Sequence, residues 1–215
     1  MVVSQFEIPT WAHAVTVSLL KILRHNEPGI YEHSLRVADH SKQLASFLGL
    51  NTYQQRVAEI AGLLHDLGEI TIDQDILAKP TKLNVVEYEL MKSHVLASVE
   101  FIQPLSAIHP FFKAVEEAIL YHHENETGSG YPNHVESGQI PLLSKIMNIT
   151  DAFDSMTTSR VYKKALTVDV AYEEIRRSLG TQFNTQVGNA FLASHRFFTK
   201  HTTEDLESSL FNKVA

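Results

Sequence analysis

Apolar residues recur at helical spacing along most of the chain, with short polar breaks that carry glycine, proline or asparagine. The alternating pattern typical of strands is absent from the sequence. The pattern therefore predicts an all-α fold of seven or eight helices. We place them over about residues 10–25, 31–48, 52–68, 84–103, 108–123, 142–155, 168–179 and 185–198.

The breaks between these helices are short, apart from predicted loops over 69–83 and the glycine-rich 125–138. Neither an internal repeat nor a proline-rich or serine-rich linker divides the sequence. We therefore expect residues 1–198 to form one domain, with the N-terminal helix at about 10–25 included. Residues 199–215 are polar and acidic, and predict a tail or a short helix.

Composition narrows the possible functions. The 215 residues carry a net charge of −7, which argues against coating polymeric nucleic acid. No apolar run is long enough to span a bilayer, and the first residues do not resemble a secretory signal. We therefore expect a cytoplasmic protein that does not bind membranes.

The chain has 12 histidines and no cysteine. The lack of cysteine excludes disulfides, thiolate metal sites and cysteine nucleophiles. The many histidines direct attention to metal binding by imidazole and carboxylate.

Candidate metal ligands fall in five different predicted helices or at their ends. They are His33, His65, Asp66, His94, His122, His123 and Asp151. Helix bundles commonly build two-metal sites from side chains that project inward from several helices. Five imidazoles and two carboxylates suit iron, manganese or zinc. Each residue alone would be ordinary, but all seven together favour a metal centre.

Several segments resemble the HD-GYP family of metal-dependent phosphohydrolases. His65-Asp66-Leu67-Gly68 resembles the HD signature, and HHENETGSGYP at 122–132 resembles the second signature. Further similar blocks are EHSLRVADHS at 32–41, LAKPTKLNVVEYELMKSHV at 77–95, DAFDSMTTSRVYKKA at 151–165 and GTQFNTQVGNAFL at 180–192. The resemblance covers roughly residues 13–198.

This resemblance implies an all-α bundle around two divalent metal ions, iron or manganese first, with zinc, nickel or magnesium as alternatives. The implied activity is hydrolysis of cyclic di-GMP to pGpG or GMP by a hydroxide that bridges the metals. By position, His33, His65, Asp66 and Asp151 would hold one metal. His94, His122 and His123 would hold the other, with Asp66 as a catalytic bridge to both.

Other positions imply contacts with substrate. Arg160 and Lys163 match family cations that contact substrate phosphate. Gly130, Tyr131 and Pro132 form the GYP loop, which is tied to recognition of substrate or of a protein partner. A purely structural turn explains this loop equally well.

Two departures from the family pattern affect the function. Glu69 stands where the HD motif carries lysine, so the charge beside an anionic substrate is reversed. A protonated Glu69 would serve as a general acid, and an ionised one would add a metal ligand. Gly29 stands where three-metal members carry glutamate, which predicts a two-metal site.

Three functions remain open at this point. The first is a cyclic di-GMP phosphodiesterase. The second is a catalytically weak member that binds metal and nucleotide, or a partner protein, and signals by binding. The third is an HD phosphohydrolase with a different nucleotide substrate. The sequence leaves the oligomeric state open.

Overall fold

The computed structural model describes residues 7–159 and 164–211. Their α-helices are α1 (Ala12–Asn26), α2 (Pro28–Phe47), α3 (Thr52–Leu64), α4 (Gln74–Leu77), α5 (Val85–Lys92), α6 (His94–Ser106), α7 (Pro110–Leu120), α8 (Leu142–Thr157), α9 (Val168–Arg177), α10 (Thr185–Ser194) and α11 (Thr203–Phe211). Short 3-10 helices lie at Leu67–Thr71, Ser137–Gln139 and His195–Phe197. These ranges contain no strand, which confirms the predicted all-α fold class.

The helix is interrupted at Ser93, although the apolar pattern predicts one continuous helix over 84–103. The Ser93 backbone N–H donates to the carbonyl of Leu90 at 3.1 Å, and its hydroxyl donates to the same oxygen at 2.6 Å. This tight turn ends α5 and lets α6 begin at His94. The predicted extent is wrong here because apolar spacing continues across the break. The break places the His94 side chain at the head of a helix.

Two hydrophobic clusters form the core. One joins α1, α2, α3 and α7 through side chains such as Leu20, Leu63 and Phe111. The other joins α8, α9 and α10 through side chains such as Phe153 and Phe191. Helix α2 contacts both α3 and α8, so it connects the two clusters.

Two glycines allow the backbones around the centre to touch. A Cβ atom on Gly62 would lie 2.6 Å from the Cα atom of Ala38, so α2 and α3 pack closely only because Gly62 lacks one. A Cβ atom on Gly68 would lie 2.2 Å from the carbonyl oxygen of His94. The Gly68 N–H instead donates to Ser98 Oγ at 2.8 Å. These contacts bring α2, α3, α6 and the 3-10 helix after Asp66 together.

The C-terminal segment lies against α1 and α2. The backbone N–H of Thr199 donates to Gln43 Oε1 at 2.7 Å, and Leu210 of α11 is buried. Over the part of the chain that the structure describes, no helix has both the length and the apolar character needed to cross a bilayer.

Candidate metal centre

Three histidines at or near helix ends are oriented in the same way. The Nδ1 atoms of His65, His94 and His122 each lie within hydrogen-bonding distance of a backbone carbonyl three residues earlier. In that order, the acceptors are the carbonyl oxygens of Gly62, Met91 and Ile119, at 2.9, 2.7 and 2.6 Å. The last carbonyls of a helix lack partners within it, so they are natural acceptors for these N–H groups. Each Nδ1 is thus assigned as the donor, which leaves a lone pair on Nε2.

The free ring nitrogens converge on Asp66. Its Oδ2 atom lies 3.1 Å from His65 Nε2 and 3.6 Å from His33 Nε2. Its Oδ1 atom lies 3.4 Å from His94 Nε2. The two oxygens of one carboxylate therefore face different histidines on different helices.

All seven residues predicted as ligands come together around this carboxylate. Their ligand atoms form overlapping groups in which every atom lies within 4.8 Å of the others. These groups are His33, His65 and Asp66; His94, His122 and His123; and His65, His122 and Asp151. Asp151 also approaches His33, with Oδ1 3.1 Å from Nε2.

The arrangement fits divalent metal ions. The Nε2 atoms of His94 and His122 are buried and have no hydrogen-bond partner among the described residues. Those of His33 and His65 lie 3.1 Å from carboxylate oxygens of Asp151 and Asp66, respectively. When these rings are neutral, as in metal ligands, the Nε2 lone pairs of His65 and His94 face oxygens of an ionised carboxylate, a repulsive contact unless a cation lies between them. Imidazole nitrogen and carboxylate oxygen without sulfur suit iron, manganese or zinc. The residues present therefore fit divalent metal ions.

The protonation states favour ligation. Burial opposes ionisation of Asp66, but the neighbouring His65 and His94 hold its pKa well below its usual range. Burial lowers the pKa of His122 strongly and that of His123 to about 4, so both rings are neutral at pH 7. His33 and His65 differ, because neighbouring carboxylates outweigh the effect of burial. Asp151 and Asp154 raise the pKa of His33 to about 10, and Asp66 raises the pKa of His65. A metal would therefore compete with a proton at both rings.

Asp154 contacts the Nδ1 atom of His33, while the Nε2 atom of the same ring faces Asp66. The Oδ2 atom of Asp154 lies 2.7 Å from His33 Nδ1, and Arg36 donates to both Asp154 oxygens at 2.6 and 2.9 Å. Such a carboxylate fixes the tautomer and orientation of a metal-binding histidine. Sequence reasoning missed Asp154, although its spacing of three residues from Asp151 places both on one face of α8.

The GYP loop packs on the same centre. The Tyr131 ring stacks on His123 with ring centroids 4.7 Å apart. A Cβ atom on Gly130 would lie 2.4 Å from the carbonyl oxygen of His123, so this approach requires glycine. Pro132 follows through a cis peptide bond and is half-buried. The loop therefore has a structural role in placing His123, and Tyr131 also faces the cleft.

Two further buried residues hold the backbone around this loop. The Glu124 carboxylate is 2% exposed and accepts three backbone N–H groups. The donors are Asn133, His134 and Val135, at 2.6, 2.9 and 3.2 Å. The Asn148 amide donates to the carbonyl of His122 at 2.7 Å. Sequence reasoning missed both, although Glu124 directly follows the paired histidines.

The centre opens into a cleft of about 560 Å³, a volume typical of sites for small molecules. Asp66, Glu69, His123 and Asp151 are among the residues that line it. Glu69 is buried in the 3-10 helix that follows Asp66. Arg160 and Lys163, predicted to bind phosphate, lie outside the described residues.

The sequence model of the HD domain matches residues 18–187. This span covers most of the chain and includes every predicted metal ligand. The chain belongs to the HD domain family. Its HD domain is 31% identical over 169 residues to a "Cyclic di-GMP phosphodiesterase" of Thermotoga maritima, covering 79% of this chain and 45% of that protein. It is 33% identical over 155 residues to "3'3'-cGAMP-specific phosphodiesterase 2" of Vibrio cholerae, covering 72% of this chain and 29% of that protein. The chain thus spans less than half the length of these relatives.

Solved structures share the fold of this HD domain. "Bd1817, a HDG"Y"P protein from Bdellovibrio bacteriovorus" matches with a TM-score of 0.65 and 16% identity, over 86% of this chain and 61% of that one. The HD domain of a phosphodiesterase from L. monocytogenes in complex with cyclic-di-AMP matches with a TM-score of 0.56 and 17% identity, over 86% and 98%. Together with the sequence relatives, these matches confirm the resemblance to the HD-GYP family.

Proposed function

We propose that this chain is a metal-dependent phosphodiesterase that hydrolyses a cyclic dinucleotide, with cyclic di-GMP as the first choice of substrate. One observation carries the proposal: the Asp66 carboxylate turns one oxygen toward His33 and His65 and the other toward His94. This is the arrangement that a carboxylate shared by two metals requires. The names of the sequence relatives support the reaction class.

In this proposal one metal would be held by His33, His65, Asp66 and Asp151, and the other by Asp66, His94, His122 and His123. We propose iron or manganese. When bound, two such ions supply positive charge and Lewis acidity at a phosphodiester.

The protein's own groups prepare the site. Asp66 and Asp151 have pKa values held low by neighbouring histidines in spite of burial, so both are ionised at neutral pH. Burial, followed by the charges of Tyr88 and Asp151, raises the pKa of Tyr131, so its hydroxyl keeps its proton. We propose that this hydroxyl donates a hydrogen bond to substrate. Arg160 and Lys163 are proposed phosphate contacts on the basis of the sequence motif alone.

A second function is favoured by Glu69. This buried residue lines the cleft three positions after Asp66. An ionised carboxylate there opposes the approach of a doubly charged substrate. The alternative is a protein that binds metal and nucleotide and signals by binding, with little turnover.

Chromatographic product analysis tests the proposal. The protein would be purified without oxygen, loaded with ferrous iron or manganese, and incubated separately with cyclic di-GMP, 3'3'-cGAMP and cyclic di-AMP. We expect cyclic di-GMP to be cleaved to pGpG or GMP, and Asp66→Asn to abolish cleavage. Asp169→Asn is the matched control, because it removes one exposed carboxylate from α9. Metal-loaded protein that cleaves none of the three would favour the binding function.

A further inference from the structure

The wall of the cleft formed by α5 carries an aromatic residue that packing does not explain. Tyr88 is 49% exposed and lines the cleft beside Met91. None of the eight residues of α5, all within the described part of the chain, is buried. Tyr88 therefore serves no hydrophobic core, unlike the fully buried Phe111 and Phe112 of α7.

Lys92 holds Tyr88 and Tyr131 in one group. Its ammonium lies 5.3 Å from the Tyr88 ring centroid and 5.7 Å from the Tyr131 ring centroid, both within cation–π range. Among the described residues that line the cleft, both tyrosines are present and Lys92 is not. The ammonium pairs with Glu89 at 2.7 Å. The cleft meets the aromatic side of this group.

Helix α5 is held in place although it is not buried. Asn84 and Glu87 form a reciprocal capping box, with distances of 3.0 and 2.8 Å. Lys79 reaches across from the preceding loop and donates to Glu87 Oε1 at 2.6 Å. A helix capped in this way fixes the backbone that carries Tyr88, which reduces the entropy lost when a ligand binds.

We propose that Tyr88, supported by Lys92, is the stacking platform for a nucleobase of the substrate. The inference rests on the proposed function and adds a base-binding subsite to it. Tyr131 stacks on His123 and shares the Lys92 ammonium with Tyr88, so the platform lies beside the metal centre. The exposed Tyr88 side chain is aromatic, and the nearby Lys92 ammonium is already paired with Glu89. A flat nucleobase therefore fits this wall better than a phosphate does.

Binding of two probe ligands to the metal-loaded protein tests the platform. GMP carries a base, and ribose 5-phosphate presents the same sugar and phosphate without it. We expect wild-type protein to bind GMP more tightly. Tyr88→Ala should weaken GMP binding by about tenfold, near the lower end of reported base-stacking effects, and leave ribose 5-phosphate unchanged. Tyr88→Phe should keep the affinity for GMP, because the ring is retained.

Leu90→Ala is the matched control. Leu90 lies on the same helix, is 50% exposed and does not line the cleft. We expect both affinities to be unchanged in this variant. Metal content would be measured in every variant, so that loss of the metal centre is recognised.

Several results would overturn the platform. One is equal loss of both ligands in Tyr88→Ala with metal content intact, and another is no loss of either. Wild-type protein that binds GMP no better than ribose 5-phosphate would also refute it. The platform is tested by binding and the proposed function by cleavage, so the two proposals can be refuted independently. Cleavage without a preference for the base refutes only the platform. A preference for the base without cleavage refutes only the proposed function.

Discussion

Asp154→Asn tests how the metal centre is supported from outside its ligands. Asp154 connects His33 Nδ1 at 2.7 Å with Arg36, which donates to both of its oxygens. Asparagine keeps the size of the side chain but has one acceptor oxygen and one NH₂ donor. If the oxygen faces His33, the amide group meets the Arg36 Nε–H, and two donors face each other. If the amide is turned over, His33 loses its acceptor.

The expected loss follows from these contacts. Arg36 is partly exposed, with 27% of its side chain accessible, so it can turn toward water. The cost therefore falls mainly on the orientation and basicity of His33. Loss of a supporting carboxylate typically lowers metal affinity by about 10- to 100-fold, or about 1.4–2.7 kcal/mol. In the proposed two-metal centre, we expect this loss at the metal on the His33 side of Asp66.

Competition of the metal-free protein with a fluorescent chelator for manganese would measure both affinities. Circular dichroism would confirm that the variant is folded. Asp169→Asn is again the control, because it removes the same charge from an exposed position on α9. Two affinities identical to wild type in folded Asp154→Asn would refute the supporting role. Equal weakening of both would place the effect on the whole centre rather than on His33.

Three other changes have defined outcomes. Gly130→Ala should destabilise the protein by about 1–3 kcal/mol in urea unfolding, because the new Cβ would lie 2.4 Å from a carbonyl oxygen. Gly138→Ala, where the new Cβ meets open space, should be near neutral, and equal effects of the two changes would contradict the steric argument. Burial, then the nearby His40, lowers the pKa of His195 to about 4, so its stabilising contribution is present above pH 6.5 and is lost as pH falls toward 4. His195→Phe should remove about 2 kcal/mol of that pH dependence after allowance for solvent screening, and an unchanged melting-temperature profile would refute the assignment. Glu69→Lys should lower KM for cyclic di-GMP by about tenfold in steady-state kinetics, since it replaces a repulsive charge with an attractive one; a raised KM would show that Glu69 assists binding.

The sequence predicted the helices well where an apolar stripe ends at a clear stop signal. Helix α2, for example, was expected over 31–48 and extends over Pro28–Phe47. The break at Ser93 was not predictable from periodicity, because it arises from one hydroxyl and one N–H that share the carbonyl of Leu90. The spacing of apolar residues shows which face of a helix is apolar. It does not show where a side-chain hydroxyl competes for a backbone carbonyl.

The candidate ligands were predictable because their residue types and motifs are specific. The residues that hold these ligands in place through hydrogen bonds were harder to predict. Asp154 and Glu124 act through hydrogen bonds to partners 121 and about ten residues away, respectively. A single sequence does not reveal such long-range partners. The cation–π group of Tyr88, Lys92 and Tyr131 likewise depends on how the GYP loop folds back against α5.

In the proposed site, Asp66 is shared between two metal ions. Anomalous diffraction from crystals of the manganese-loaded or iron-loaded protein would test it most directly. We expect two peaks per chain, one between Asp66 and the side chains of His33 and His65, the other between Asp66 and His94. A single peak, or two peaks of which only one contacts Asp66, would contradict the account.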